Sequence, residues 1–231
     1  MKQTKKITRI ILTTLVILVG LGGILLTFIN ASAIRVAAIG DSITYGSGIA
    51  NRDQNNYPST LQHLLGIKYR VKNFGSSGRT AMWTGNKPYI EEQSYEDSLN
   101  FSPDIVVLMF GTNDSKAQNW IDKEAFKKQY RRLIQSYRKL ESDPVVYLCT
   151  PATPYYINEN TRGTMNFNIQ QDKVNEIVEA CKELAEELEI ELVNINEVTK
   201  GHPEWFTLDG IHPDANGAKA IAKAVYHTIK K

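Results

Sequence analysis

The chain of 231 residues is 42% hydrophobic and 23% charged, the balance of one soluble globular domain. Its formal charge of +2 belongs to the start of the chain: residues 1–33 hold four basic and no acidic residues, and the remainder carries −2. With no basic stripe and no interleaving of aromatic and basic residues, nucleic acid is excluded as a partner.

The first element in chain order is apolar. Lys2, Lys5, Lys6 and Arg9 precede an uncharged run from Ile10 to Ile29. A helix of that length is about 30 Å long, enough to cross the hydrocarbon core of a bilayer. Secretory signals usually have an apolar region of only about 7–15 residues, which favours a retained N-terminal hydrophobic helix, a signal-anchor. Ala31-Ser32-Ala33 has instead the small-x-small pattern of a signal-peptide cleavage site. In either reading residues 1–33 are a targeting segment and the basic flank stays inside. Residues 34–231 then form an extracytoplasmic domain, held by a single pass through the cell membrane or secreted after cleavage near Ala33.

Five strand-like runs follow: 35–39 "RVAAI", 69–74 "YRVKNF", 104–110 "DIVVLMF", 145–149 "VVYLC" and 190–194 "IELVN". Helical patterns lie between them. Asp122 is placed to cap one that presents Phe126, Tyr130, Leu133, Ile134 and Tyr137. Over 171–188, Val174, Ile177, Val178, Cys181, Leu184, Ala185 and Leu188 make an apolar stripe. The last helix begins after Pro213, a residue suited to a first helical turn. Cys149 and Cys181 read as two buried free thiols or as one disulfide, and no cluster has metal-ligand spacing.

Strand alternating with helix implies a parallel sheet covered on both faces, with every strand's C-terminal end at one edge, where ligands of open α/β sheets bind. That edge collects Gly40-Asp41-Ser42, Gly75 to Thr80, Gly111-Thr112-Asn113-Asp114, Thr150-Pro151, and the loop through Asp209 and His212. Ser42 could be a helix cap or a nucleophile. As a nucleophile it needs a base held by a third group, and "DGIHP" offers both. A tight turn through Gly210 and Ile211 would fold His212 back on Asp209, which would then orient the imidazole. Attack on an ester also creates an oxyanion that needs N–H donors. The Ser42 N–H, the backbone at Gly75 or Gly78, and the Asn113 amide are candidates.

These blocks together resemble the SGNH/GDSL hydrolase family of esterases and lipases. "IGDSITYG" is similar to its nucleophile block, "NFGSSGRT" to its glycine block, "FGTND" to its asparagine block and "DGIHP" to its acid–histidine block. The resemblance covers about residues 35–230. It implies a flavodoxin-like three-layer α/β/α sandwich with a five-stranded parallel sheet. It also implies Ser42, Asp209 and His212 as catalytic triad, an oxyanion hole of Ser42, Gly78 and Asn113, and no metal or cofactor. The family often has Leu where this chain has Ile43, an apolar exchange. "GTNDSKAQNW" resembles members that act as carbohydrate acetylesterases.

The expected activity is therefore hydrolysis of short acyl esters, acetyl above all, of a small molecule or glycan. Substrate contacts are expected from Asp41, Arg79, Trp83 and Trp205. The loops at the edge read as a polar rim, with Thr44, Ser47, Ser76, Ser77, Thr80, Ser115 and Lys116. Other aromatics, Trp120, Tyr155 and Tyr156, could stack on sugars or simply pack. An O-acyltransferase would use the same triad, a lipase or thioesterase would need a longer apolar trough, and a noncatalytic glycan-binding module would need no intact triad. His202 is the alternative base but has Thr199 where His212 has Asp209. His63 and His227 fall within predicted helices as surface residues.

Overall fold

A computed structural model describes residues 33–156 and 165–231. The apolar run with its expected helix lies outside the described residues. The domain begins with β1 (Ile34–Gly40), α1 (Ser42–Tyr45), α2 (Arg52–Asn55), α3 (Tyr57–Leu65) and β2 (Tyr69–Gly75). Then come α4 (Gln93–Asn100), β3 (Ile105–Met109), α5 (Lys123–Arg138) and β4 (Val145–Cys149). α6 (Gln171–Leu188), β5 (Glu191–Val193), α7 (Ile195–Thr199) and α8 (Ala215–Ile229) follow.

The five strands form one parallel sheet in the order β2-β1-β3-β4-β5. This is the flavodoxin-like order, in which the chain turns back between β1 and β3 and opens a crevice at their C-terminal ends. Each central strand is apolar on both faces because both are covered. Ala37, Ile39, Val106, Leu108, Val146 and Leu148 pack on one side, under α5 and α6. Val36, Ala38, Ile105, Val107, Met109 and Cys149 pack on the other, under α3 and α8. Cys149 and Cys181 therefore belong to cores on opposite faces of the sheet, and both are free buried thiols. Burial in apolar surroundings raises both thiol pKa values.

The two long helices form where their stripes run. The Asp122 carboxylate accepts the Ala125 N–H at 2.7 Å, and Phe126, Tyr130, Leu133, Ile134 and Tyr137 are buried. α6 spans the residues its periodicity marks. Pro213 does not open the last helix: Asp214 caps it, accepting the Asn216 and Gly217 N–H groups, and Pro213 lies one residue before the cap. α4 carries almost no apolar stripe, with Ser98 as its buried residue, so its pattern was silent in the sequence. Among the described residues no helix is long and apolar enough to cross a membrane.

Candidate active site

β1 delivers the first group. It ends at Gly40, and the chain turns at once into α1, so Ser42 stands at the first helical position beside the crevice. The cap of α1 is Asp41, whose Oδ1 accepts the Ile43 N–H at 2.9 Å. That releases the Ser42 hydroxyl from capping. Ser42 Oγ lies 2.9 Å from His212 Nε2.

The loop before α8 delivers His212 and Asp209. Gly210 sits between them with a φ of 70°, in the left-handed region that favours glycine, and the turn closes with Gly210 N–H donating to Thr207 carbonyl oxygen at 2.9 Å. His212 Nδ1 is thereby brought 2.7 Å from Asp209 Oδ2, while Asp209 Oδ1 accepts the N–H groups of Ile211 and His212 at 2.8 Å each. Burial works to raise the Asp209 carboxyl pKa. The His212 hydrogen bond and the two backbone N–H groups outweigh it and hold the carboxyl well below the usual carboxylate range. The ring is thus held by an ionised carboxylate on one nitrogen and faces a hydroxyl with the other. Such a chain can take a proton from Ser42 as its oxygen attacks an acyl carbon.

A cleft of about 270 Å³ opens over Ser42 and His212 and is also lined by Ser47, Ser77, Gly78, Thr112 and Asn113. Of the two glycines in the second loop, Gly78 borders this cleft, with a φ of 81°. Gly75 does not: a Cβ there would lie 2.2 Å from the Tyr45 nitrogen, so glycine allows α1 to pack against β2. Asn113 is fixed from three sides. Its Nδ2 donates to the Arg79 carbonyl at 3.2 Å and to Asp41 Oδ2 at 3.3 Å, and its carbonyl accepts from Asn119 Nδ2 at 2.8 Å.

Four expected substrate contacts lie elsewhere. Asp41 is 1% exposed and works behind the cleft, on Ile43 and Asn113. Burial raises its carboxyl pKa to about 6. The Arg79 guanidinium is taken by Glu92 at 2.8 Å and by Ser76 Oγ at 3.2 Å. Trp83 lines a separate cavity with Tyr95 and Leu133, and Arg132 lies over its ring at 4.6 Å. Trp205 packs on the α8 core and stacks on His202 with ring centroids 3.7 Å apart. That stacking, with a 2.9 Å contact to Glu204, holds His202 outside the lining of the cleft. Trp120 packs on Phe126, and Tyr155 on Phe206. His63 and His227 are exposed on α3 and α8. The expected rim is also narrower, since Thr44, Thr80 and Ser115 are fully buried.

Three further contributors were assigned no role from sequence. Asp114 is fully buried and accepts the N–H groups of Ala81 (3.2 Å) and Met82 (2.9 Å), tying the Gly78 loop to the Asn113 loop. A carboxylate directly after an apolar strand was its only signal. Phe167, 55% exposed, borders the cleft with its ring edge-on to His212 at 5.4 Å. Lys87 lines the same cleft from a loop without periodicity.

The sequence profile of the GDSL-like Lipase/Acylhydrolase family matches residues 38–220. The chain is 35% identical over 217 residues to an acetylxylan esterase of Xylanibacter ruminicola, a match covering 86% of this chain and 43% of that protein. It is 25% identical to a multidomain esterase of Ruminococcus flavefaciens, over 84% of this chain and 28% of that protein. The chain thus spans less than half of these two relatives. Among solved structures it is similar to a carbohydrate acetylesterase family member from Sinorhizobium meliloti, with a TM-score of 0.68, 21% identity, and 85% and 97% of the two chains covered. The native aryl esterase of M. smegmatis also has a TM-score of 0.68, with 18% identity and 86% and 99% covered. These two likenesses are of fold.

Proposed function

The chain belongs to the GDSL-like lipase/acylhydrolase family, and we propose that it is a serine esterase of the SGNH type that removes short acyl groups, acetyl first, from a carbohydrate. The observation that carries the reading is the unbroken hydrogen-bonded chain from Ser42 through His212 to Asp209 at the floor of the cleft. In the proposed reaction Ser42 Oγ attacks the acyl carbon and its proton passes to His212 Nε2. Asp209 stabilises the imidazolium. The oxyanion forms among the N–H groups of Ser42 and Gly78 and the Asn113 amide, which exchanges one of its two long resting contacts, to Asp41 Oδ2 or the Arg79 carbonyl, for the oxyanion. Collapse expels the sugar alkoxide, which takes the proton from His212. Water, deprotonated by the same ring, then attacks the acyl-enzyme and releases the acid and the free serine.

The short-acyl preference rests on the walls. Ile169 and Ile211 line the cleft but are 1% and 3% exposed, so their surface is spent on the core they share with Met165, Val174 and Val178. Phe167 is left as the one largely exposed apolar side chain among the described lining residues. Each methylene buried contributes about 0.8 kcal/mol, and this cleft has room to bury few. The 35% identity to an acetylxylan esterase supports acetyl as the acyl group.

The test compares aryl acetate, butyrate, octanoate and palmitate by kcat/KM, followed by acetylated xylan and other acetylated glycans. Activity is expected to fall from acetate onward. A rise toward octanoate would replace this reading with a lipase or thioesterase.

A further inference from the structure

Lys87 and Lys116 line the cleft beside Ser42, Ser77 and Asn113, and the esterase reaction as proposed uses neither. Among the described residues neither ammonium has an ion-pair or hydrogen-bond partner. Other lysines of the domain also lack a partner, but among the described residues these are the two that line this cleft, whereas Lys123, Lys127, Lys173 and Lys182 are each paired with glutamate. The nearby acids are already engaged. Asp41 is buried with its oxygens on Ile43 and Asn113, Asp209 holds His212, and Glu92 holds Arg79.

Lys116 stands at a cost. Burial lowers the Lys116 pKa, the charge of Lys87 lowers it further, and the Asp41 carboxylate acts in the opposite sense. Two cations without ion-pair partners in the lining of one cleft, close enough for the charge of one to act on the other, make a local field for a negative ligand in a domain of net charge −2. A neutral acetylated sugar would leave Lys87 without a counter-charge and Lys116 with only the buried Asp41 carboxylate, whereas an anionic group on the sugar would pair with both.

We propose that the natural substrate is an acidic glycan ester, whose carboxylate or phosphate docks between Lys87 and Lys116 while its acyl group lies at Ser42. This deepens the carbohydrate reading above and rests on it for the nature of the alcohol. The two lysines are specificity residues that select the alcohol by charge.

Inhibition of aryl acetate hydrolysis tests the site without requiring any sugar ester to turn over. Methyl glucoside, methyl glucuronoside and methyl glucoside 6-phosphate are compared on the wild type, on Lys87→Gln/Lys116→Gln and on Lys87→Arg/Lys116→Arg. On the wild type at low salt, one or both anionic sugars should inhibit at least about tenfold more tightly than the neutral one, the strength expected of a charge-assisted contact. The ratio should close toward one near about 1 M salt, where the screening length is about 3 Å. The glutamine pair should bring it to one and the arginine pair should keep it. Carboxylate against phosphate decides which anion the site takes. Equal inhibition by all three sugars on the wild type, or a ratio that the glutamine pair leaves intact, overturns the proposal. If the glutamine pair does not fold, the two single glutamine variants carry the same test. Failure of the carbohydrate reading looks different: no acetylated sugar, neutral or acidic, is hydrolysed, yet anionic sugars still inhibit selectively.

Discussion

Ser42 is free to react because Asp41 has taken the capping role next to it, and the same carboxylate steadies Asn113. A neighbour thus decides what a serine at a strand-to-helix junction can do. His212 and His202 illustrate the same point, since both have a carboxylate within hydrogen-bonding distance, but only His212 faces a hydroxyl. His212→Ala should lower kcat by roughly 10⁴–10⁶, the scale of losing a triad base. His202→Ala should keep most activity, and steady-state rates on aryl acetate decide between them. Asp41 carries a pH signature. Its carboxyl is raised by burial to about 6 from an unfolded value near 3.8, so the folded state holds the proton more tightly. Its ionisation therefore disfavours the fold progressively from about pH 4 to pH 6, and fully above that. The stability cost of Asp41→Asn, measured by denaturant unfolding, should be largest near pH 4. It should shrink by roughly 2–3 kcal/mol by pH 7. A cost that grows with pH would contradict this.

At the level of elements, the site is an agreement among strand ends. β1 places Ser42, the loop after β2 places Gly78, the loop after β3 places Asn113, and the turn before α8 places Asp209 and His212. Side chains join the second and third of these loops: Asp114 accepts the Ala81 and Met82 N–H groups, Asn113 Nδ2 donates to the Arg79 carbonyl, and Asn119 Oδ1 accepts the Asn86 N–H. The Ala81 and Met82 N–H groups belong to residues almost fully buried. Asp114→Ala would leave two buried donors without an acceptor, each costing about 1–3 kcal/mol. Unfolding in urea should show a loss of about 2–5 kcal/mol at neutral pH. Activity should fall as well, because Gly78 and Asn113 would no longer be held in register. A variant with wild-type stability would show that other contacts hold the loops together.

For the whole molecule, one sheet separates two large cores, and the candidate site lies at the C-terminal edge of that sheet. Catalysis and stability thus draw on different residues, except where Asp41 and Asp114 serve both. The placement of the molecule in the cell rests on residues 1–33, read as an anchor or a cleaved signal with the catalytic domain outside. Expression of the full chain, followed by fractionation, should recover activity in the membrane fraction, accessible to protease added outside. Mature protein in the medium beginning at Ile34 would establish cleavage instead.

The amino-acid sequence by itself determined the five strands, the two long amphipathic helices and the order of the four motif blocks. Each is written in short-range chemistry: apolar runs, a 3.6-residue stripe, and glycine, proline and acidic residues beside strand ends. Ser42, Asp209 and His212 were nameable as candidates for that reason, since Asp209 and His212 are close in sequence and Ser42 follows a strand. Only the tertiary structure decided what lies between blocks. It gave the cap to Asp41, the packing of α1 on β2 to Gly75, and the pairing of Arg79 to Glu92. It also turned Trp83 and Trp205 away and brought Lys87 and Phe167 to the site. These outcomes depend on which distant segment arrives beside each side chain, up to 170 residues away for Ser42 and His212. Local pattern carries no information about that meeting, because the packing of the sheet edge sets it.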